Sequence, residues 1–351
     1  MERAIITLFY LVIITSFFAC NSPDSSNENR AYLSIDGRTM GTTYNVQYDD
    51  SLNRDFKGEI DSILKFINKS MSTYDPNSTI SKFNYGVDSI KSIDSHFEQV
   101  FKSSEKIYKL SGAYFNPSVF PLVKYWGFVG GPKPTGIDST TIDSLLNFCD
   151  FETFKVFNLE EKTFISREKK NVQLDFSAVA KGYAVDIICN YIKDKNINNY
   201  LVEIGGEVRY AGLNPEGKNW SIGIDYPIIK GEKRKLAAII SSGENSIATS
   251  GNYRNFYIKD GKRYAHILNP NTGYSYSSNI LSATVVSENC AEADALATAL
   301  MIGGETLMDS LEKNPEFEIL LIKSELNQDG EEVLTPIMSE SLKSKVEWLI
   351  D

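Results

Sequence analysis

Asp294 and Thr298 stand four residues apart in the segment Cys290-Ala-Glu-Ala-Asp294-Ala-Leu-Ala-Thr298-Ala-Leu300. In a helix, residues at i and i+4 lie one above the other on the same face. A carboxylate and a hydroxyl placed in this way can present two oxygens to one point. That is hard-cation chemistry, because Mg²⁺ takes oxygen ligands and usually shares them with phosphate. Taken alone, the pair also has a plain structural reading: an Asp near a helix start favours the dipole, and a helical Thr bonds its own backbone. His266 is the candidate general base. Its ordinary pKa lies near neutrality, so it can accept a hydroxyl proton, and it precedes the turn Pro270-Asn-Thr-Gly273. Its bland alternative is a structural hydrogen-bonder. The other histidine, His96, follows Asp94-Ser95 at a helix start and reads as a surface residue. Between Asp175 and Lys181 the chain turns into a helix, and helix N-termini with Gly nearby favour phosphate. Lys181 adds a positive point charge. The competing reading makes Asp175 a cap and Lys181 a solvated side chain. Cys149, Cys189 and Cys290 match no metal-ligand spacing and read as inert thiols, so no Cys/His cluster is available for zinc.

These groups need a frame. Ile60, Ile63, Leu64, Ile67 and Met71 follow the helical period, as do Phe97, Val100, Phe101, Ile107 and Tyr108, with Gly112 as a stop. A third helix is expected from Ala180 to Lys193, with Val185, Ile188, Cys189 and Ile192 inward. Residues 40–48 alternate like a strand. Short strands are expected at 200–204, 208–212, 220–226, 236–240, 255–258 and 263–268, between Gly, Asn and Pro turns. Another is expected at 280–287, ahead of the Asp294 helix, and one more at 317–322. Helices and strands are partly segregated, which points to an α+β fold with a mixed sheet and packed helices. No fixed-period repeat and no second linker appears, so residues 31–351 read as one catalytic domain.

The chain has 351 residues, 42% hydrophobic and 23% charged, an ordinary globular balance. Its formal net charge of −10 argues against nucleic acid as a partner, since phosphate backbones need a basic surface. Residues 1–19 are set apart. After Met1-Glu2-Arg3, an apolar run from Ala4 to Phe18 ends at Ala19-Cys20, too short to span a membrane. This resembles a bacterial lipoprotein signal with lipid on Cys20, although Phe18 stands where small residues are usual. A plain secretory signal or an uncleaved anchor are the other readings, and all three export the protein. The periplasmic face of the inner membrane is the default location. Residues 20–30 are rich in Ser and Asn and read as a flexible tether.

Seven further segments, with the Asp294 helix, resemble the ApbE family of flavin transferases. They are Met40-Gly-Thr42; Met71-Ser-Thr-Tyr74-Asp-Pro with Ser78, Ile80, Ser81, Phe83 and Asn84; Ser111-Gly-Ala-Tyr-Phe115-Asn116-Pro117, then Pro121-Leu-Val and Trp126-Gly-Phe; Leu174 to Asp186; Glu203-Ile-Gly-Gly206-Glu; Ser250-Gly-Asn-Tyr-Arg254; and His266 to Gly273. The resemblance implies an ApbE/T-fold-like domain that uses FAD as donor. It implies transfer of the FMN phosphoryl to a Thr or Ser hydroxyl of a client flavoprotein, with release of AMP. It further implies Mg²⁺ on Asp294, Thr298 and the backbone carbonyl of Ala178. Cofactor contacts are implied at Met40, Tyr74, Phe115, Asn116, Pro117, Asp175, Lys181 and His266, although core packing is a close alternative for Phe115. Two other activities stay open on sequence grounds: an FAD pyrophosphatase that uses water, and a non-catalytic FAD-binding lipoprotein.

Overall fold

The computed structural model describes residues 32–350, except 87–89, 130, 132, 135, 228–234, 253–255, 260–261, 266 and 277. For residues 256–259 and 262–265 the strand backbone alone is described. The chain opens with a hairpin of β1 (Tyr32–Thr39) and β2 (Thr42–Asp49). It continues through α1 (Lys57–Met71), α2 (Thr79–Tyr85), β3 (Ile90–Ile93), α3 (Ser95–Leu110), α4 (Phe120–Tyr125) and α5 (Ser139–Leu146). Next come β4 (Phe154–Leu159), β5 (Lys162–Arg167) and α6 (Ala180–Asp194). Strands then dominate: β6 (Tyr200–Ile204), β7 (Glu207–Ala211), β8 (Ser221–Asp225), β9 (Leu236–Ser241), β10 (Asn245–Gly251), β11 (Phe256–Lys259), β12 (Lys262–Ala265) and β13 (Ile280–Ser287). The chain closes with α7 (Cys290–Leu311), β14 (Glu318–Leu326), β15 (Glu332–Met338) and β16 (Val346–Trp348).

The helices form where apolar spacing and caps agree. In α1, Ile60, Leu64, Ile67 and Met71 are buried on one face. In α3, Phe97, Val100, Phe101 and Ile107 are buried, and the Asp94 carboxylate accepts the Phe97 N–H at 3.0 Å. Gly112, with φ 60°, follows the helix end as expected. An eight-stranded sheet runs in the order β1-β2-β6-β7-β10-β13-β14-β15. Successive side chains of a strand point to opposite faces, and this sheet buries both. Ala248, Val285 and Leu321 face the main core with α1, α3, α6 and α7. Ile247, Val286 and Leu320, their chain neighbours, face a second core with Trp220, Ile224, Ile240 and Leu342. The small sheet β16-β9-β8 contributes to that second core. The main sheet thus lies between a helical layer and a smaller sheet.

The α+β class expected from the sequence holds. Within it, every pairing in the main sheet is antiparallel, where a mixed sheet was expected. The strand expected at 40–48 begins at Thr42, because Met40 and Gly41 form the hairpin turn. Central strand β10, unanticipated, reads Asn-Ser-Ile-Ala-Thr-Ser-Gly and lacks the β-branched density of a strand signal; its neighbours bury it instead. Among the described residues no helix is long and apolar enough to cross a membrane. The leader, the tether and Cys20 lie outside the described residues.

Candidate active site

Four segments distant in sequence meet beside the α6–α7 pair. One is the tip of the β1–β2 hairpin. Met40 and Gly41 both have positive φ, 48° and 76°, as a two-residue type I′ turn requires. The second is the β6–β7 tip, where Gly205 and Gly206 have φ of 64° and 107°. The two tips stack: the Gly205 N–H donates to the Thr43 carbonyl at 3.1 Å. A Cβ on Gly205 would stand 2.8 Å from the Thr42 methyl and 3.4 Å from Lys181 Cδ. The third and fourth segments are the first turn of α6, with Lys181 and Gly182, and the stretch of α7 that carries Asp294 and Thr298.

Charge concentrates at this meeting point. Lys181 Nζ lies 2.7 Å from Glu207 Oε1 and 3.4 Å from Asp294 Oδ2. The side chains are 26%, 6% and 4% exposed, respectively, so the solvated-lysine reading does not hold. Burial works against the Lys181 charge, but Asp294 and Glu207 outweigh it and hold the ammonium above its ordinary pKa. Burial pushes the Glu207 carboxyl up; Lys181 opposes this and the Asp294 charge adds to it. Glu207 Oε2 is buried and has no hydrogen-bond partner among the described residues.

Asp294 Oδ2 also accepts the Gly182 N–H at 3.1 Å. Gly182 lies in the first turn of α6, whose N–H groups have no partner within the helix, and Ala178 stands just before that turn. Among the described residues the Ala178 carbonyl accepts no hydrogen bond, and neither does Asp294 Oδ1. One turn along α7, Thr298 Oγ1 lies 3.1 Å from Ser250 Oγ on β10. The carboxylate oxygen and the backbone carbonyl, with the Thr298 hydroxyl shared with Ser250, make an oxygen set suited to Mg²⁺ with places left for phosphate and water. Among the described residues no three Asp, Glu, His or Cys side chains gather to hold a metal. The α6–α7 approach is set by Gly182 and Asp186. The Asp186 carboxylate accepts the first N–H groups of α7, from Cys290 at 3.1 Å and Ala291 at 2.9 Å.

A loop layer flanks this cluster. The Asp175 N–H donates to the Pro117 carbonyl at 2.7 Å, and Asp175 Oδ1 accepts the Ser177 N–H at 2.9 Å. Burial pushes the Asp175 carboxyl up, against its bonds to Ser177. Asn84 clamps the same strand of chain, bonding the Leu174 carbonyl at 2.7 Å and its N–H at 2.8 Å. Phe115 is buried in the main core. The Asn116 side chain is taken up by Cys149 and Ser118. Tyr74 stands out from this layer at 69% exposure. Its hydroxyl turns back toward the Phe128 carbonyl at 3.4 Å, and burial at that end, then the Asp175 charge, raises its pKa.

A family model described as the ApbE family matches residues 40–321. This chain belongs to the ApbE family. It is 35% identical to a protein of Vibrio cholerae named FAD:protein FMN transferase, over 82% of this chain and 86% of that one. It is 32% identical to the Haemophilus influenzae protein of the same name, over 93% and 94%. Among solved structures, the flavin transferase ApbE from Vibrio cholerae superimposes with a TM-score of 0.79 at 32% identity, covering 90% of this chain and 99% of that one. The apo flavinyl transferase ApbE of Pseudomonas stutzeri gives 0.78 at 26% identity, covering 90% and 96%.

Of the ApbE-family segments scattered in sequence, Thr42, Lys181-Gly182, Gly205 to Glu207, Ser250 and the Asp294–Thr298 stretch are thus brought together. His266, Tyr253 and Arg254 lie outside the described residues. The turn after His266 is anchored: Trp126 Nε1 donates to the Gly273 carbonyl at 2.8 Å. His96 is half-buried rather than a surface residue, because its Nδ1 lies 2.9 Å from the Tyr183 hydroxyl. Sequence reasoning gave no part to Glu207, Gly182 or Ser250. Each sits one residue from, or inside, a quoted motif, but nothing in its type alone signals an ion pair, a helix crossing or a hydroxyl contact.

Proposed function

We propose that this chain is a Mg²⁺-dependent FAD:protein FMN transferase, held at a membrane through lipid on Cys20. Its acceptor is a Thr or Ser of a client flavoprotein. The observation that carries the reading is the pairing of Asp294 and Thr298 with a Lys181 ammonium at the stacked hairpin tips, inside a family whose relatives bear that name.

The hydroxyl oxygen of the acceptor forms a bond to the FMN phosphorus of FAD, and the pyrophosphate P–O bond breaks to leave AMP. The hydroxyl proton passes to a base, the part assigned to His266 Nδ1 or Nε2. Asp294, Thr298 and the Ala178 carbonyl would hold Mg²⁺, which neutralises charge on the phosphates when bound. Lys181 adds a point charge at the same place. Pro117 acts from behind, its carbonyl holding the Asp175 N–H, while Phe115 and Asn116 pack and bond inside the fold beside it. Met40 at the hairpin tip and the outstanding Tyr74 ring suit contact with flat rings.

The test is incubation of the protein with FAD and Mg²⁺, with and without a peptide bearing an acceptor Thr, read by mass spectrometry. An FMN-sized gain on the Thr, with AMP, supports the transferase. AMP and free FMN in both tubes would favour the pyrophosphatase, and intact bound FAD would favour a carrier. Replacing Cys20 with Ala should move the expressed protein from the membrane to the soluble fraction; retention at the membrane would refute the lipid anchor.

A further inference from the structure

We propose that Lys181 is the resident counter-ion of the metal site, and that Glu207 is a positioning residue that draws the ammonium off Asp294 when a divalent cation arrives. The inference rests on the reading of Asp294 as a metal ligand. Asp294 and Glu207 are two nearly buried carboxylates on separate elements, and one ammonium bridges them. Without a cation near it, an Asp294 carboxylate at 4% exposure would be a costly buried charge. Lys181 supplies that cation, but at 3.4 Å its contact to Asp294 is the longer and weaker of its two.

The way out for the ammonium is already built. Glu207 Oε1 holds Nζ at 2.7 Å, while Oε2 of the same carboxylate is buried with no hydrogen-bond partner among the described residues. An ammonium has three N–H donors. A small rotation that breaks the Asp294 contact can therefore give a second N–H to Oε2 and satisfy an atom left wanting in the present arrangement. Asp294 Oδ2 keeps the Gly182 N–H through this exchange. The carboxylate is thus held in place while its positive partner changes from ammonium to metal. Repulsion between a dication on Oδ1 and the Lys181 ammonium on Oδ2 drives the shift, because the two charges would share one carboxylate.

The two residues should then affect metal affinity with opposite signs. Mg²⁺ binding to the full chain is measured by calorimetry, with thermal midpoints taken in EDTA and in Mg²⁺. Lys181→Met should lower the midpoint in EDTA and tighten Mg²⁺ binding by about tenfold, since no ammonium needs displacing. Glu207→Gln should weaken Mg²⁺ binding by about tenfold, since its neutral amide holds the ammonium less firmly against Asp294. General structural damage would weaken both. Unchanged or weaker binding in Lys181→Met overturns the proposal, as does wild-type binding in Glu207→Gln, which stands as the test if the first variant does not fold. Mg²⁺ binding retained by Asp294→Ala would overturn the metal reading beneath it. Binding lost there, with Lys181→Met matching wild type, would overturn the counter-ion proposal alone.

Discussion

At the scale of the residue, the proposed site divides into groups assigned to hold charge and one, His266, assigned to move a proton. Asp294 bonds the Gly182 N–H and Lys181, and the proposed function makes it an oxygen ligand of Mg²⁺. Asp294→Asn should keep a cooperative thermal transition while Mg²⁺-dependent AMP release falls by about 10²-fold or more. Full activity in saturating Mg²⁺ would refute the ligand assignment. His266→Ala should act differently: transfer to peptide should fall by about 10²-fold or more, with FAD affinity little changed. Equal loss of binding and transfer, by fluorescence titration of FAD, would recast His266 as a binding residue. Of these two, Asp294 was legible because carboxylate and hydroxyl at helical spacing is a pattern. Glu207 was not, because its partner lies 26 residues away and no spacing rule joins a hairpin tip to a helix start.

At the scale of the element, the crossing of α6 and α7 sets how close Ala178 and Lys181 come to Asp294. A Cβ on Gly182 would stand 2.2 Å from the Cys290 carbonyl oxygen, which is backbone and cannot turn aside. Gly182→Ala must therefore push the helices apart, at a cost of about 1–3 kcal/mol or more. Because the Gly182 N–H also bonds Asp294, the same variant should weaken Mg²⁺ binding. A wild-type melting temperature would refute this account of the crossing. The link from β2 to α1 is a second controlling joint. Asp50, which is buried, accepts N–H groups from Leu52 and Arg54 and pairs with the Arg54 guanidinium at 2.8 Å. The hydrogen-bonded guanidinium lowers its pKa from 3.8 to about 2. A carboxyl depressed on folding stabilises above its unfolded pKa, and that contribution is lost as pH falls through the folded value. Stability should therefore drop between about pH 4 and about pH 2 in the wild type, and Asp50→Asn should flatten that part of an acid-unfolding curve. An unchanged acid limb would show that Asp50 carries no such linkage.

At the scale of the whole molecule, the eight-stranded sheet is a plate with cores on both faces, and the site lies on the helical side. The opposite core depends on late residues: Leu342 is fully buried there, and β16 pairs with β9 at the sheet edge. Leu342→Ala should cost about 2–5 kcal/mol of stability. Because Leu342 belongs to the core away from α6 and α7, AMP release measured well below the melting range should persist. Loss of turnover without loss of stability would show that the far core is coupled to the site.

The sequence by itself determined the parts that depend on neighbours along the chain. The four long helices α1, α3, α6 and α7, most β6–β14 strands, the turn glycines and the Asp294–Thr298 pair follow from periodicity, caps and i,i+4 geometry, all of which act within a few residues. Family resemblance extended this to the ordered set of motifs. Tertiary structure alone decided what depends on remote pairing. It set the antiparallel direction of the sheet, the central place of β10 with its weak strand signal, and the burial of His96 against Tyr183. It also brought Lys181 between Glu207 and Asp294. Hydrogen bonds between strands and ion pairs across helices join residues tens to hundreds of positions apart. Their partners are chosen by the packing of whole layers, and that choice leaves no local mark in the order of residues.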